Sequence, residues 1–296
     1  MAAGESWIDL LDPDERELHE RLPAGVDDAV VGRLLAPATE AGPRPTVTDR
    51  GGVVFVALVV PVVERRSDRL FLQEVDLVLT PEVVLSVRKT PPGFRPFDPD
   101  PMAPSGGADV PAGVAYRLAD QVAERFLDLV DDLDEEIEEL EDNVEVWPSP
   151  RVRERLAELR GDVLTIRRTL APTRDAIRRI VDGRVALAGG EMQHAFADVY
   201  DKLLRAAEGL EYSRELIAAV RDYHQTRIAQ EQNDVIKKLT VIASLLLFPT
   251  FVVGVYGQNF DHMPELHWRL GYVFSWAVIV AATLAQLAFF RWRRWI

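Results

Sequence analysis

Two stretches without a charged side chain, Leu239 to Phe260 and Leu270 to Phe290, constrain this chain more than any other feature. A helix needs about 20 mostly apolar residues to cross the hydrocarbon of a bilayer, and both runs meet that length. A pair of buried core helices is the other reading of such runs, but two in close succession favour a transmembrane hairpin. Lys237 and Lys238 precede the first, and Arg291, Arg293 and Arg294 follow the second, so both outer ends are expected on the cytoplasmic side. Only the connection Gly257 to Arg269 is then left on the far side. Trp268, Tyr272, Trp292 and Trp295 fall where interfacial aromatics belong.

Charge and composition narrow the remainder. With 48 acidic and 34 basic residues the net charge is −14, which leaves no basic footprint for nucleic acid. The chain has no cysteine, so disulfides, thiolate catalysis and Cys-based metal sites are excluded. Met1 to Leu10 has no basic-then-apolar pattern and is not expected to be a secretory signal. The five histidines, His19, His194, His224, His262 and His267, show no zinc-protease spacing, and no phosphate-binding glycine pattern occurs. An enzyme is not expected.

The part before the membrane runs divides by composition. Val53 to Val60, Phe71 to Leu79 and Val83 to Val87 are rich in β-branched residues and predict strands, the last two joined as a hairpin across Thr80-Pro81-Glu82. Leu10 to Leu22 and Asp28 to Leu35 predict short helices, so residues 1–90 form an α/β domain. Residues 91–113, dense in Pro, Gly and Asp, predict a linker or surface loop. Beyond it, Phe126, Val130, Leu133, Ile137, Leu140 and Val144 recur at alternating steps of four and three, as do Val152, Leu156, Leu159, Val163, Ile166 and Leu170. Trp147-Pro148-Ser149-Pro150 separates the two runs and Pro172 ends the second, which predicts an antiparallel helical hairpin within 114–190. Its first arm is nearly solid carboxylate from Asp131 to Asp142: a solvated face, or a surface that concentrates cations. From 191 to 238 a proline-free helix leads into the first membrane run. Continuous to Val255, it would be about 95 Å long and would have to lean on neighbours to bury its seam.

Steps of three and four from Asn233 mark Ile236, Thr240, Ala243, Leu247, Thr250 and Gly254, small, polar or moderately apolar. Val241, Leu245, Phe248 and Val252 opposite them are large and lipophilic. Such a stripe suits a helix-packing face or a pore wall, and spacing does not choose between them. Polar amides at Gln258 and Asn259, where the run leaves the membrane, tip the reading toward water.

The segments Asn233 to Leu239, Thr250-Phe251, Tyr256-Gly257-Gln258-Asn259-Phe260, Met263-Pro264-Glu265-Leu266 and the basic tail from Arg291 resemble the CorA family of magnesium transporters. The likeness is ungapped from about Ala195 onward. It implies an α+β cytoplasmic domain, a long stalk helix and two C-terminal transmembrane helices (239–256 and 270–290) joined by an outer loop (257–269). It also implies a basic tail (291–296) and a homopentameric funnel in the inner (plasma) membrane. By position, the resemblance implies ion selectivity at Gly257, Gln258 and Asn259. It implies pore-lining roles for Asn233, Ile236, Leu239, Leu247 and Thr250, to which the stripe adds Thr240 and Gly254, and Asp261 and Glu265 fall in the outer loop. A regulatory metal is implied at Asp198 or Asp201. The family's second acidic ligand falls near Arg33, which suggests an ion pair of Arg33 with Asp198 between protomers. Magnesium is the implied cargo and gating ligand, with cobalt or nickel also in range. Gln258 stands where the family signature has methionine, which keeps a ZntB-like zinc transporter as an alternative. A membrane-anchored coiled-coil scaffold that conducts nothing is the other.

Overall fold

The structure is a computed structural model, and it describes residues 7–38, 45–64, 69–91, 93, 95–99, 111–184, 190–258 and 263–295. It divides into two compact units, Met1–Val220 and Arg221–Ile296.

The first unit is built on a five-stranded sheet: β1 (Trp7–Leu11), β2 (Thr46–Arg50), β3 (Val53–Glu64), β4 (Arg69–Leu79) and β5 (Val84–Arg88), in the order β1-β5-β4-β3-β2. Pairing is antiparallel from β2 through β5, and β1 joins β5 in parallel. Gly51 and Gly52, with φ of 63° and 90°, form the two-residue turn between β2 and β3, a geometry that L side chains resist. Alternate residues serve opposite faces. Val54, Val56, Leu58, Val75 and Leu77 belong to one core, whereas Phe55, Ala57, Val78, Leu85 and Val87 join Leu10, Leu18 and Leu34 in another. Both faces are covered, so the strands read as apolar runs rather than as strict alternation.

Two short helices, α1 (Glu15–Arg21) and α2 (Asp28–Leu34), supply Leu18 and Leu34 to the second core. Asp14 caps α1 by accepting from the Glu17 N–H at 2.7 Å, and Asp27 caps α2 through Val30 at 2.9 Å. The helix expected over Leu10 to Leu22 is therefore corrected: the chain is strand through Leu11 and turns helical only at Glu15. The parallel β1 was not foreseen, because its partner is 77 residues away and no local turn announces it. Trp7 Nε1 to Ser86 Oγ (2.9 Å) and Arg88 to Asp9 (2.6 Å) tie it in place.

Three long helices cover the other face: α3 (Pro111–Asn143), α4 (Ser149–Val181) and the first part of α5 (Gly190–Tyr256). The predicted seam residues of α3 and α4 are buried, from Phe126 (0%) to Leu170 (1%). Pro172 does not end α4 as expected. A proline inside a helix costs about 3 kcal/mol, but Leu170, Ala176, Ile177 and Ile180 are buried on either side of it and hold the helix on course. Along α5, Phe196, Val199, Leu203, Ala206, Leu210, Ile217 and Val220 complete the same core. Contacts from Asp120 to Lys202 and from Asp134 to Ser213 show that α3 and α5 run in the same direction. Because helices and sheet share one core, they form one compact unit and not the separate domains that composition suggests.

The second unit contains the rest of α5, a 3-10 turn at Pro264–His267 and α6 (Gly271–Trp292). Both helices carry segments long and apolar enough to cross a membrane, and these segments are mostly exposed, unlike the core helices of a soluble protein.

Candidate functional site

The apolar part of α5 has two unlike sides. Val241 and Val252 are 4% and 8% exposed, with Leu245 and Phe248 half-buried beside them. The stripe opposite is open: Ile236, Leu239 and Leu247 are 58%, 64% and 71% exposed, and Asn233, Thr240, Thr250 and Gly254 are exposed as well. Exposure also extends to Ile242, Leu246, Phe251 and Val253, so the open arc is wider than the stripe itself. Thr240 donates to Ile236 O at 2.8 Å and Thr250 to Leu246 O at 2.7 Å. These bonds use the hydroxyl hydrogens and leave the oxygen lone pairs directed outward, free to accept from water.

The helix ends at Tyr256, after which Gly257 and Gln258 are exposed. Gly257 donates to Val253 O at 2.9 Å, and a Cβ there would stand 3.3 Å from that oxygen, so glycine lets the last turn close tightly. Asn259 and Asp261 lie outside the described residues, as does the side chain of Glu265. Around α6, Trp268, Tyr272 and Trp292 are exposed at 53%, 79% and 74%, as interfacial aromatics require.

Asp198 and Asp201 are both exposed on α5. One turn after Asp198, Lys202 Nζ lies 2.7 Å from Asp120 and 2.5 Å from Glu124, clamping α5 to α3. Burial lowers the Lys202 pKa, but hydrogen bonds to those two carboxylates outweigh it and raise the pKa overall. Among the described residues of this single chain, no group of three or more His, Asp or Glu is disposed to hold a metal. Arg33 does have a carboxylate partner in its own chain: its Nη2 stands 3.4 Å from Glu74 Oε1, and its guanidinium lies over the Phe55 ring at 5.2 Å.

Glu74 belongs to a charged group that sequence reasoning missed. On β4, Asp76 is fully buried; Lys89 Nζ, beyond β5, is 2.8 Å from Asp76 and 3.3 Å from Glu74, and donates to Arg33 O at 2.8 Å. Burial, and then the neighbouring Glu74 charge, push the Asp76 carboxyl up to about 7 against the pull of Lys89. The only signal for this cluster was two carboxylates interrupting an apolar strand, and the lysine's arrival depends on strand register.

A sheet-based unit joined by one helix to an exposed pair of bilayer-length helices defines a class of integral membrane proteins with a large water-soluble part. The chain belongs to the CorA-like Mg2+ transporter family, whose description matches residues 3–294. It is 28% identical over 261 residues to the cobalt/magnesium transport protein CorA of Thermotoga maritima, covering 86% of this chain and 73% of that one. It is 31% identical over 185 residues to YfjQ of Bacillus subtilis, covering 62% of this chain and 58% of the relative. Among solved structures, the complete CorA magnesium transporter of Methanocaldococcus jannaschii superposes with a TM-score of 0.78 at 19% identity, over 98% of this chain and 91% of that one. The α+β unit, long helix and two C-terminal apolar helices are thus the family fold, and the family is one of transporters, not enzymes.

Proposed function

We propose that the chain conducts divalent metal cations, magnesium foremost, through a homopentameric pore lined by α5. One observation carries this reading: the stripe of α5 that mixes Asn233, Thr240, Thr250 and Gly254 with Ile236, Leu239 and Leu247 is open, while Val241 and Val252 opposite are buried. Five such faces around an axis would make a wall of alternating polar and apolar rings. The family membership, and the cobalt/magnesium transport named for the Thermotoga relative, support the choice of cargo.

The mechanism follows from magnesium's hydration. This ion gives up its inner water reluctantly, so a mouth that holds it must touch the water shell and not strip it. Five copies of Asn259, with Gln258 and the Gly257 turn beside them, would present fixed amide oxygens to that shell, strong enough to select and weak enough to release. Asp261 and Glu265 would raise the local cation concentration at the outer mouth. Below it, Thr250 and Thr240 offer hydroxyl oxygens to a hydrated ion, and Asn233 an amide. Leu247, Leu239 and Ile236 between them would close the path by excluding water. Transport is passive, driven by the membrane potential, with both chain ends in the cytoplasm. Asp198, with Asp201 as the lesser candidate, would bind a gating magnesium ion between protomers.

Gln258 supports one second reading. A second amide in place of methionine alters the mouth, and the zinc branch is the alternative it favours; cobalt and nickel share the hydrated-ion route. Flux into proteoliposomes decides between them. Magnesium entry under an inside-negative potential, reduced at least about tenfold by Asn259→Ala, is the expected result. Zinc entry that follows a proton gradient and ignores the potential would move the chain to the zinc reading.

A further inference from the structure

At the far end of α6, Arg294 N donates to Arg291 O at 3.0 Å and Trp295 N to Phe290 O at 2.9 Å. With Arg294 at φ 57°, these two bonds make a Schellman closure, the motif that folds a helix end back on itself through one left-handed residue. The apolar contact belonging to that motif is present: the Trp295 ring stacks on Phe290, 5.8 Å between centroids and 20° between planes. The left-handed position normally carries glycine, because a Cβ there crowds the backbone. Here it carries an arginine, so the closure by itself does not account for the residue.

The side chains around it point to a ligand. Arg291, Arg293 and Arg294 are all exposed, and no carboxylate among the described residues forms an ion pair with them. Lys237, the other flanking cation that the structure pairs, has Asp234 at 3.0 Å. The Arg293 guanidinium lies 6.0 Å and 5.8 Å from the Phe289 and Trp292 ring centroids, which holds it close to the helix end. Trp292 is 74% exposed beside it. A helix apolar enough to span a bilayer thus ends in an exposed indole and three guanidiniums that have no ion-pair partner among the described residues.

We propose that the capped end of α6 is a binding site for anionic phospholipid headgroups, with Arg291, Arg293 and Arg294 as its phosphate ligands. Guanidinium forks match phosphate oxygens in pairs, and the closure fixes the backbone from which the three side chains extend. The inference rests on α6 lying in a membrane and not on which ion the protein carries.

Native mass spectrometry of the full chain, released from micelles containing phosphatidylglycerol or phosphatidylcholine, tests it. The Arg294→Gly variant relieves the backbone strain and keeps the closure, so its melting temperature is expected to equal or exceed that of the parent chain. Its occupancy by phosphatidylglycerol should nevertheless fall about fivefold, the share of one basic residue near an anionic surface. Arg293→Gln should do the same without touching the backbone. Equal occupancy in both variants and the parent, equal binding of the two lipids, or full displacement by millimolar inorganic phosphate would each overturn the proposal. A flux defect with unchanged lipid occupancy would count against it while leaving the transport reading intact.

Discussion

At Gly209 α5 comes so near α3 that a Cβ would stand 2.8 Å from Val130 Cγ1. Val130 is 4% exposed and β-branched, so it has nowhere to turn. Gly209→Ala should therefore destabilise the soluble unit by about 1–3 kcal/mol despite alanine's better helix propensity, and a lowered melting temperature by circular dichroism would record it. Four residues on, the buried Ser213 hydroxyl donates to Asp134 at 2.6 Å, so one carboxylate of the acidic run serves the helix contact rather than solvent. Asp76 makes a prediction of opposite character. Its carboxyl, pushed from 3.8 to about 7, keeps a proton in the folded chain that the unfolded chain has released. The stability it contributes is fully present below pH 3.8 and is lost as pH rises through about 7. Asp76→Asn should flatten that decline in urea titrations between pH 5 and pH 8; an unchanged slope would place its origin elsewhere. Neither site was legible beforehand, because Gly209 looks like a weak point in a helix and Asp76 gains its meaning only from where Lys89 arrives.

Periodicity served best for the long elements. The seams of α3 and α4 were readable residue by residue because one apolar side chain every three or four positions has no other use on a helix. Local punctuation was less dependable: Pro172 reads as a stop, yet packing on both sides carries α4 on to Val181. Short strands were harder still, since β1 and β2 have five residues each and owe their existence to partners. The acidic arm of α3 keeps Glu138, Glu141 and Asp142 exposed, while Glu136 pairs with Arg155 of α4 at 2.8 Å. Replacing Glu138, Glu141 and Asp142 by Gln, Gln and Asn should shift stability by no more than about 0.5 kcal/mol and leave potential-driven flux unchanged. A fall in flux would instead assign the arm a cation-concentrating role.

For the whole molecule, the membrane segments were the most legible part, because lipid imposes a length and a polarity that no tertiary context overrides. The division into units was not, since Pro- and Gly-rich stretches mark breaks in local structure, whereas compactness depends on which elements share a core. The proposed pore face lies between these extremes: its stripe was readable, and the burial of Val241 and Val252 opposite adds support that the spacing lacked. The chain has no cysteine, so single cysteines can be placed there without background. The most direct test of the account is block of magnesium flux by a membrane-impermeant cationic thiol reagent, with cysteine at Thr250, Leu247, Val241 or Val252 in proteoliposomes. Rapid block at Thr250→Cys and Leu247→Cys, with Val241→Cys and Val252→Cys untouched, is the predicted pattern. Block at Val241→Cys or Val252→Cys with Thr250→Cys inert would contradict it.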